Sequence, residues 1–309
     1  MNNHLGLAFT PKELCYAYFI VDNNALFLDR VGSLAYQDPY QEKSFFAESN
    51  LSKLQNTIGS TFSDISFSQT DISISVESNL ALLKRVMYPL KLDDTGIKEH
   101  INWDLEESLT LPLSQYLVFR SPDKYTYKNF QEELVVAIPY VILNFFKNLT
   151  SALSSRLVNL SVHHLASELL LSNSMTDQVE NLLLLQKVTN EQLETTFLWK
   201  GTYFASHYDK IDFQIDSPLY IDFLKSKINY IENIFEQYEE KGVMVDRILI
   251  YGDYIDDPGL EKIQKNMSIP VDRSNVFDNI NFSDNFKNTP IPDEDKGKYL
   301  ECIGITLDV

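Results

Sequence analysis

Cysteine and long apolar runs are both scarce in this chain. Its two cysteines, Cys15 and Cys302, lie far apart in apolar stretches, so we expect buried, reduced thiols and no disulfide framework. No run approaches the roughly 18 apolar residues that a membrane-spanning helix needs. Residues 1–14 also lack the basic start and sustained apolar stretch of a secretory leader. These absences predict a cytoplasmic protein without direct membrane insertion.

Positive charge is also in short supply. The 309 residues include 26 Lys and Arg against 44 Asp and Glu, a net charge of −18. Such a surface repels phosphate backbones and anionic lipid, so we expect no nucleic-acid partner. Hydrophobic residues make up 44% of the chain, enough to bury a large core or the cores of two lobes.

Standard catalytic motifs are missing as well. The sequence has no Gly-x-Ser-x-Gly, glycine-rich phosphate loop, His-Glu-x-x-His or Cys-x-x-Cys, so hydrolase and zinc functions have no support. His163 and His164 are adjacent and project in different directions from a helix; we expect one packed and one surface histidine, and no metal. Asp253, Asp256 and Asp257 lack the spacing of a calcium loop and predict a solvated turn.

The pattern of apolar residues does predict a fold, and it does so twice. Residues 5–34 predict a three-stranded meander, followed by a helix over 42–61 and a strand over 71–76. Residues 182–208 predict a second meander, followed by a helix over 218–240 and a strand over 247–252. Two lobes of the order βββαβ form the internal duplication of the actin and sugar-kinase architecture, in which a nucleotide binds between lobes.

Three stretches make the resemblance more specific. They are "LLKRVMYPL" at 82–90, "INWDLEESLTLPLSQYLV" at 101–118 and "DRILIYGDYIDDPGLEKIQKNMSIPVDRSNVFDNI" at 246–280. Together they resemble the PilM family of type IV pilus assembly proteins and, more distantly, the cell-division protein FtsA. The resemblance implies an α/β, duplicated actin-like (ribonuclease H-like) fold. It places the first lobe at 1–178, with an inserted subdomain at about 79–155, and the second lobe at 179–309, with a C-terminal closing helix.

The nucleotide-binding hairpins of that family are degenerate here. Active members bind phosphate with two glycine-bearing hairpins that each carry an aspartate. Ala8 stands at the first aspartate position, and Thr10-Pro11 occupies the glycine region, where Pro11 removes an amide donor. The second hairpin, around Gln186 and Lys187, has neither residue type.

Two further elements of the family are reduced. Only Gly252-Asp253 is left of an adenosine-contacting double glycine, and only residues 210–217 stand where the family inserts a second-lobe subdomain. We therefore expect a pseudo-ATPase without a cofactor, in which Lys12 and Lys187 are solvated hairpin charges. The predicted degenerate nucleotide cleft comprises Ala8, Thr10, Lys12, Gln186, Lys187, Gly252 and Asp253.

The resemblance also implies a partner. PilM captures the short cytoplasmic N-terminal peptide of the inner-membrane protein PilN in a groove between its inserted subdomain and first lobe. In this chain the groove is predicted near Leu83, Val86, Trp103, Leu111, Pro112 and Leu113. The helix over 95–109 is expected to bury Ile97, Ile101, Trp103 or Leu105, and Leu111-Pro112-Leu113 is equally consistent with a plain helix-to-strand corner.

The resulting hypothesis is a catalytically inactive scaffold recruited to the cytoplasmic face of the inner membrane, in a type IV pilus or type II secretion machine. Two alternatives stay open at this point. One is an active ATP-binding relative of PilM, and the other is an unrelated dimeric interaction protein; a homodimer is compatible with either.

Overall fold

The computed structural model describes residues 2–307, with gaps at 11, 24, 37–44, 175–181, 190–191, 216, 238–241, 253–255, 278–279 and 289–290. The strands are β1 (Asn3–Phe9), β2 (Glu13–Asp22), β3 (Ala25–Ala35), β4 (Thr70–Val76), β5 (Leu82–Pro89), β6 (Tyr116–Tyr127), β7 (Phe130–Pro139), β8 (Arg156–Val162), β9 (Leu182–Val188), β10 (Gln192–Trp199), β11 (Thr202–Lys210), β12 (Val245–Gly252) and β13 (Val271–Arg273). The α-helices are α1 (Glu48–Thr61), α2 (Asp94–Glu106), α3 (Tyr140–Ala152), α4 (His163–Ser174), α5 (Pro218–Gln237), α6 (Asp257–Asn266) and α7 (Leu300–Gly304).

The two lobes are built on sheets of the same design. The first sheet has the order β3-β2-β1-β4-β8, and the second has the order β11-β10-β9-β12-β13. In each, an antiparallel meander is extended by two parallel strands. Every residue of the central strand β4 is buried, as expected of a strand covered on both faces. The predicted duplication is confirmed.

The long helix α5 covers the second sheet. Its apolar residues recur at spacings of three and four, which places them on one side of the helix. All five residues of the predicted stripe are buried in the core of the second lobe: Ile221, Leu224, Ile228, Ile231 and Phe235.

The inserted subdomain is smaller than predicted. It consists of the antiparallel sheet β5-β7-β6 with α2 on one face. Asp93 caps α2 by accepting a hydrogen bond from the Gly96 amide at 2.8 Å, which satisfies an otherwise unpaired donor. Helix α3, which we had placed in the subdomain, buries Phe146 and Leu149 in the core of the first lobe. The subdomain therefore ends with β7.

Helix α2 differs from the prediction at two points. It ends at Glu106, before Pro112, so the proline does not terminate it. Ile97, Ile101 and Leu105 are buried as predicted, but Trp103 is 57% exposed on the outer side of the helix. Pro112 instead precedes a short 3₁₀ turn, in which the Gln115 amide donates to its carbonyl oxygen at 2.8 Å.

The C-terminal segment returns to the first lobe. Helix α7 packs against α4 and β1, and a Cβ atom at Gly6 would clash with the carbonyl oxygen of Cys302. The Ser283 hydroxyl donates to Asp29 at 2.7 Å. The closing helix, predicted as part of the second lobe, thus packs mainly on the first. Cys15 and Cys302 are both buried, and burial raises the pKa of each thiol. No helix in the described ranges is long and apolar enough to span a membrane.

Candidate functional site

The cleft between the two lobes is here called the interlobe cleft. In its first hairpin, which joins β1 to β2, the backbone amides donate hydrogen bonds within the hairpin itself. The amides of Lys12 and Glu13 donate to the Thr10 hydroxyl oxygen at 3.3 and 3.1 Å. Ala8 is buried between its neighbours on β2 and β4. Among the described residues of the hairpin, the Thr10, Lys12 and Glu13 amides are therefore all engaged, and the Glu13 carboxylate pairs with Lys298 at 2.9 Å. Lys12 is exposed, and Pro11 lies outside the described residues.

The second hairpin repeats the first. The Thr10 amide and hydroxyl donate to the carbonyl oxygen of Glu13 at 3.0 and 3.1 Å, and those of Thr189 donate to that of Gln192, both at 3.1 Å. This equivalence was not predicted from the sequence, although each threonine stands three residues before a Glu or Gln. Gln186 is buried and accepts a hydrogen bond from the Thr195 hydroxyl at 2.9 Å.

Lys187 is not the solvated charge that we expected. Its side chain is 12% exposed, and its ammonium lies 2.7 Å from the Glu301 carboxylate on α7. The same Nζ lies 3.2 Å from Nδ1 of His163, at the start of α4. An ammonium can only donate, so Nδ1 accepts. Lys187 of the second lobe is thus paired to two residues packed on the first.

A second polar contact lies beside it. Nε2 of His164 is 3.3 Å from Oε2 of Glu194, and both side chains are almost completely buried. His163 is also buried. The expectation of one packed and one surface histidine is therefore wrong, because α4 lies between the lobes and both of its flanks are covered.

The pKa values of this cluster follow from burial and from Lys187. Although burial alone lowers it, Glu301 and Glu194 raise the pKa of Lys187 well above its ordinary value. Although burial alone raises it, Lys187 and His164 bring the pKa of Glu194 down to about 2. Burial and Lys187 lower the pKa of His163 well below its ordinary value. The cluster holds an ammonium, a carboxylate and a neutral imidazole at neutral pH.

Gly252 has a structural reason for being glycine. Its φ is +114°, and a Cβ atom there would clash with the carbonyl oxygen of Val188 on the neighbouring strand. Asp253 lies outside the described residues. Asp256 caps α6 by accepting from the Gly259 amide at 2.8 Å, and Asp257 pairs with Arg273 at 2.9 Å. Among the described side chains, no group of three or more His, Cys, Asp or Glu could hold a metal ion.

A second concave surface, here called the β8 groove, lies between the subdomain and the first lobe. It has a volume of about 400 Å³ and continues into a space of about 330 Å³ that reaches the second lobe. Phe119, Val136, Ser161 and Leu165 line both spaces. The remaining lining of the larger space is mostly apolar: Leu117, Ile138, Leu143, Lys147, Leu157, Val158, Asn159 and Leu160. Its volume lies within the range of ligand pockets.

The residues predicted to form the partner groove are not brought together. Val86 is 1% exposed and packs under α2, whereas Leu83 packs against the first-lobe core; an odd spacing along β5 places them on opposite faces of the sheet. Trp103 and Leu111 are exposed, and Pro112 and Leu113 lie in the turn before β6. The described surface of the β8 groove contains none of these six residues.

Arg85, which the sequence analysis did not single out, joins the subdomain to the second lobe. Its guanidinium donates to the carbonyl oxygens of Phe204 and Tyr203 at 2.7 and 2.8 Å. The guanidinium carbon lies 4.6 Å from the centre of the Tyr125 ring, within reach of a cation–π interaction. Its neighbours on the same face of the strand, Leu83 and Met87, are apolar, and a charged residue between them was the signal that could have identified it.

Comparison with solved structures finds a likeness to the PilM-PilN type IV pilus biogenesis complex. The TM-score is 0.75 and the identity 11%, over 99% of this chain and 98% of that chain. The cytoplasmic domain of EpsL, an inner-membrane component of the type II secretion system of Vibrio cholerae, matches with TM-score 0.49 and 9% identity, over 82% and 84%. A Bacteroides thetaiotaomicron protein with an actin-like ATPase fold matches with TM-score 0.44 and 12% identity, over 89% and 91%.

Neither the protein-family models nor the curated proteins provide a match for this sequence. At 11% identity, the likeness to the PilM chain concerns the fold alone. It confirms the predicted architecture: this chain has an α/β, two-lobed actin-like fold of the PilM kind.

Proposed function

We propose that this protein is a catalytically silent adaptor that binds a short cytoplasmic segment of an inner-membrane partner. It would work at the cytoplasmic face of an envelope assembly such as a type IV pilus or a type II secretion machine. The observation that carries the proposal is the β8 groove, an open apolar groove in the fold of a protein solved in a PilM-PilN complex.

The interlobe cleft supports the catalytically silent part of this proposal. A lysine of the second hairpin is held by Glu301 and His163, and the described amides of the first hairpin bind Thr10. Catalysis of phosphoryl transfer depends on amides, cations and carboxylates aimed at the phosphate. Here these groups are engaged with one another, so we assign no cofactor to the cleft.

The partner is proposed by its chemistry and by the likeness. A PilN-like inner-membrane protein would recruit this chain through a peptide and without any insertion of the chain into lipid. The test is calorimetric titration with synthetic 12-residue peptides that copy the cytoplasmic N-terminal segments of inner-membrane proteins encoded beside it. We expect one peptide to bind with a micromolar or lower Kd.

Two matched variants locate that binding. Phe119, in the β8 groove, and Phe130, at the opposite end of the same sheet, are 48% and 42% exposed. Burial of a phenylalanine side chain contributes about 1.5–3 kcal/mol, so Phe119→Ser should weaken the peptide at least tenfold. Phe130→Ser should leave it unchanged. Equal effects of the two variants would contradict docking in the groove.

A separate titration tests whether the protein lacks ATP binding and hydrolysis. We expect no heat of binding with MgATP at 1 mM and no phosphate release above the buffer rate. Micromolar binding with turnover would establish an active ATPase and overturn this part of the proposal.

A further inference from the structure

Strand β8 is an edge strand of the first-lobe sheet. It pairs with β4 on one side, and no other described strand pairs with its second side. An edge strand presents a row of backbone N–H and C=O groups that can pair with another chain. The first lobe therefore carries an open template for strand addition.

The β8 groove runs along this edge. Five consecutive residues, 157–161, line it. The pairing of β8 with β4 shifts register between Leu157 and Asn159 and is regular from Asn159 onward. Successive side chains of the regular part point to opposite faces, so a groove that contacts Asn159, Leu160 and Ser161 lies beside the strand and not over one face. Leu143 of α3 and Leu165 of α4 also line it, and these helices belong to different packed pairs, α1 with α3 and α4 with α7.

The wall opposite β8 is a regular apolar surface. Leu117 pairs with Ile138, and Phe119 with Val136, as directly opposed residues of β6 and β7. All four side chains line the groove; Phe119 is exposed and Leu117 half-buried, whereas Val136 and Ile138 form the buried floor beneath them. An extended segment between this wall and β8 would direct every second side chain to the wall, since strand side chains have a period of two.

One cation lines the larger space of the groove. Lys147 of α3 is exposed, and it has no carboxylate partner among the residues that the structure describes. In a chain with a net charge of −18, an unpaired lysine beside an apolar wall favours an occupant with an acidic side chain.

We infer that the β8 groove takes its partner segment as an added strand along β8. The segment is extended, carries apolar residues at alternate positions facing Leu117, Phe119, Val136 and Ile138, and has an acidic residue that meets Lys147. Backbone hydrogen bonds to β8 contribute affinity and the apolar wall selects the sequence, as in other cases of strand addition. This inference rests on the proposed adaptor function and specifies how the partner binds.

The test uses the peptide that binds most tightly in the panel described above, methylated at one backbone nitrogen at a time. Methylation removes a donor and blocks pairing, so strand addition predicts losses of tenfold or more at every second position and little change between them. In parallel, hydrogen exchange of the protein should slow at alternate amides within residues 157–161 when peptide is bound.

The charge is tested with a matched pair of exposed lysines. Lys147→Glu should weaken the peptide at least threefold, with a smaller effect at high salt. Lys98→Glu, on α2, should have no effect. If the two variants behaved alike, the acidic residue would be removed from the description of the segment.

The remaining outcomes separate the inference from the proposed function. If a peptide binds in a Phe119-dependent manner but every methylation is tolerated and exchange at 157–161 is unchanged, strand addition is wrong and the adaptor function stands. If no peptide binds, both fail. If light scattering finds a dimer whose β8 amides are already protected, the occupant is a second copy of this chain and the inference is overturned.

Discussion

The interlobe cleft and the β8 groove are both formed where separate sheets meet, yet they are filled in opposite ways. In the interlobe cleft, Lys187 pairs with Glu301 and Glu194 lies beside His164, and all four side chains are largely buried. The β8 groove has an open apolar wall and one unpaired lysine, Lys147, among its described residues. A lysine that is already paired with a buried carboxylate offers a ligand little net charge, whereas exposed apolar surface gains by being covered.

Removal of the Lys187 ammonium from the interlobe cleft should lower the free energy of unfolding more than any other change considered. Lys187→Met leaves Glu301 and Glu194 buried beside an apolar side chain, and breaking a buried pair typically costs about 3–5 kcal/mol. We expect urea denaturation to report a loss of that size. The exposed Lys98→Met is the control and should change the free energy of unfolding by less than about 0.5 kcal/mol.

The double variant Lys187→Met/Glu301→Gln sharpens this prediction. It removes one of the stranded charges and should recover part of the lost stability. An unchanged free energy of unfolding in Lys187→Met would mean that the pair does not hold the lobes together.

Acid should act on the same cleft. Glu194 has a pKa of about 2 in the folded protein against an ordinary value of 4.5, so the folded state binds the proton less readily than the unfolded chain. Its contribution is fully present above pH 4.5 and is lost as the pH falls toward 2. The loss is on the order of 3 kcal/mol.

Urea midpoints at pH 7, 4.5 and 2.5 measure this effect. We expect Glu194→Gln to lose less stability than the unmodified protein between pH 4.5 and 2.5. Neutral His163 adds acid sensitivity in a different window, below pH 6.5, because its folded pKa is lowered. Parallel losses in both proteins over the lower window would remove Glu194 as the cause.

Arg85 connects the subdomain to the second lobe, and its substitution should have an intermediate effect on the free energy of unfolding. Arg85→Met removes two hydrogen bonds to carbonyl oxygens of the second lobe and a 3.6 Å contact with the buried Glu132. Hydrogen bonds from charged groups contribute about 1.5–3 kcal/mol. We expect a loss of about 2 kcal/mol and a several-fold weaker peptide, because the apolar wall of the groove is attached through this residue. Unchanged peptide affinity would make Arg85 a stability residue only.

The local sequence pattern was sufficient to predict the two repeated sheets. It was insufficient to predict the interlobe cleft and the β8 groove. Meanders and the α5 stripe follow from alternation and helical spacing, which act over a few residues. The burial of Lys187 depends on α7, more than a hundred residues later, and no local pattern contains that contact. The shared face of the groove wall could have been predicted from the sequence. Leu117 and Phe119 are two residues apart, as are Val136 and Ile138, so each pair faces one side of its strand. Which side faced the first lobe depended on tertiary packing.

Substitution of Trp103 should have the smallest effect on stability and on peptide affinity. The sequence analysis placed it in the partner groove, but it lies on α2, on the opposite face of the subdomain sheet from the apolar wall, 57% exposed and within 6.0 Å of the His100 ring. Trp103→Ala should therefore change the free energy of unfolding by about 0.5 kcal/mol or less and leave peptide affinity within twofold of the unmodified protein, where Phe119→Ser loses at least tenfold. Calorimetry of the two variants side by side decides it. If Trp103→Ala were the more damaging, the peptide would bind the outer face of α2, and the β8 groove would lose its place as the docking surface.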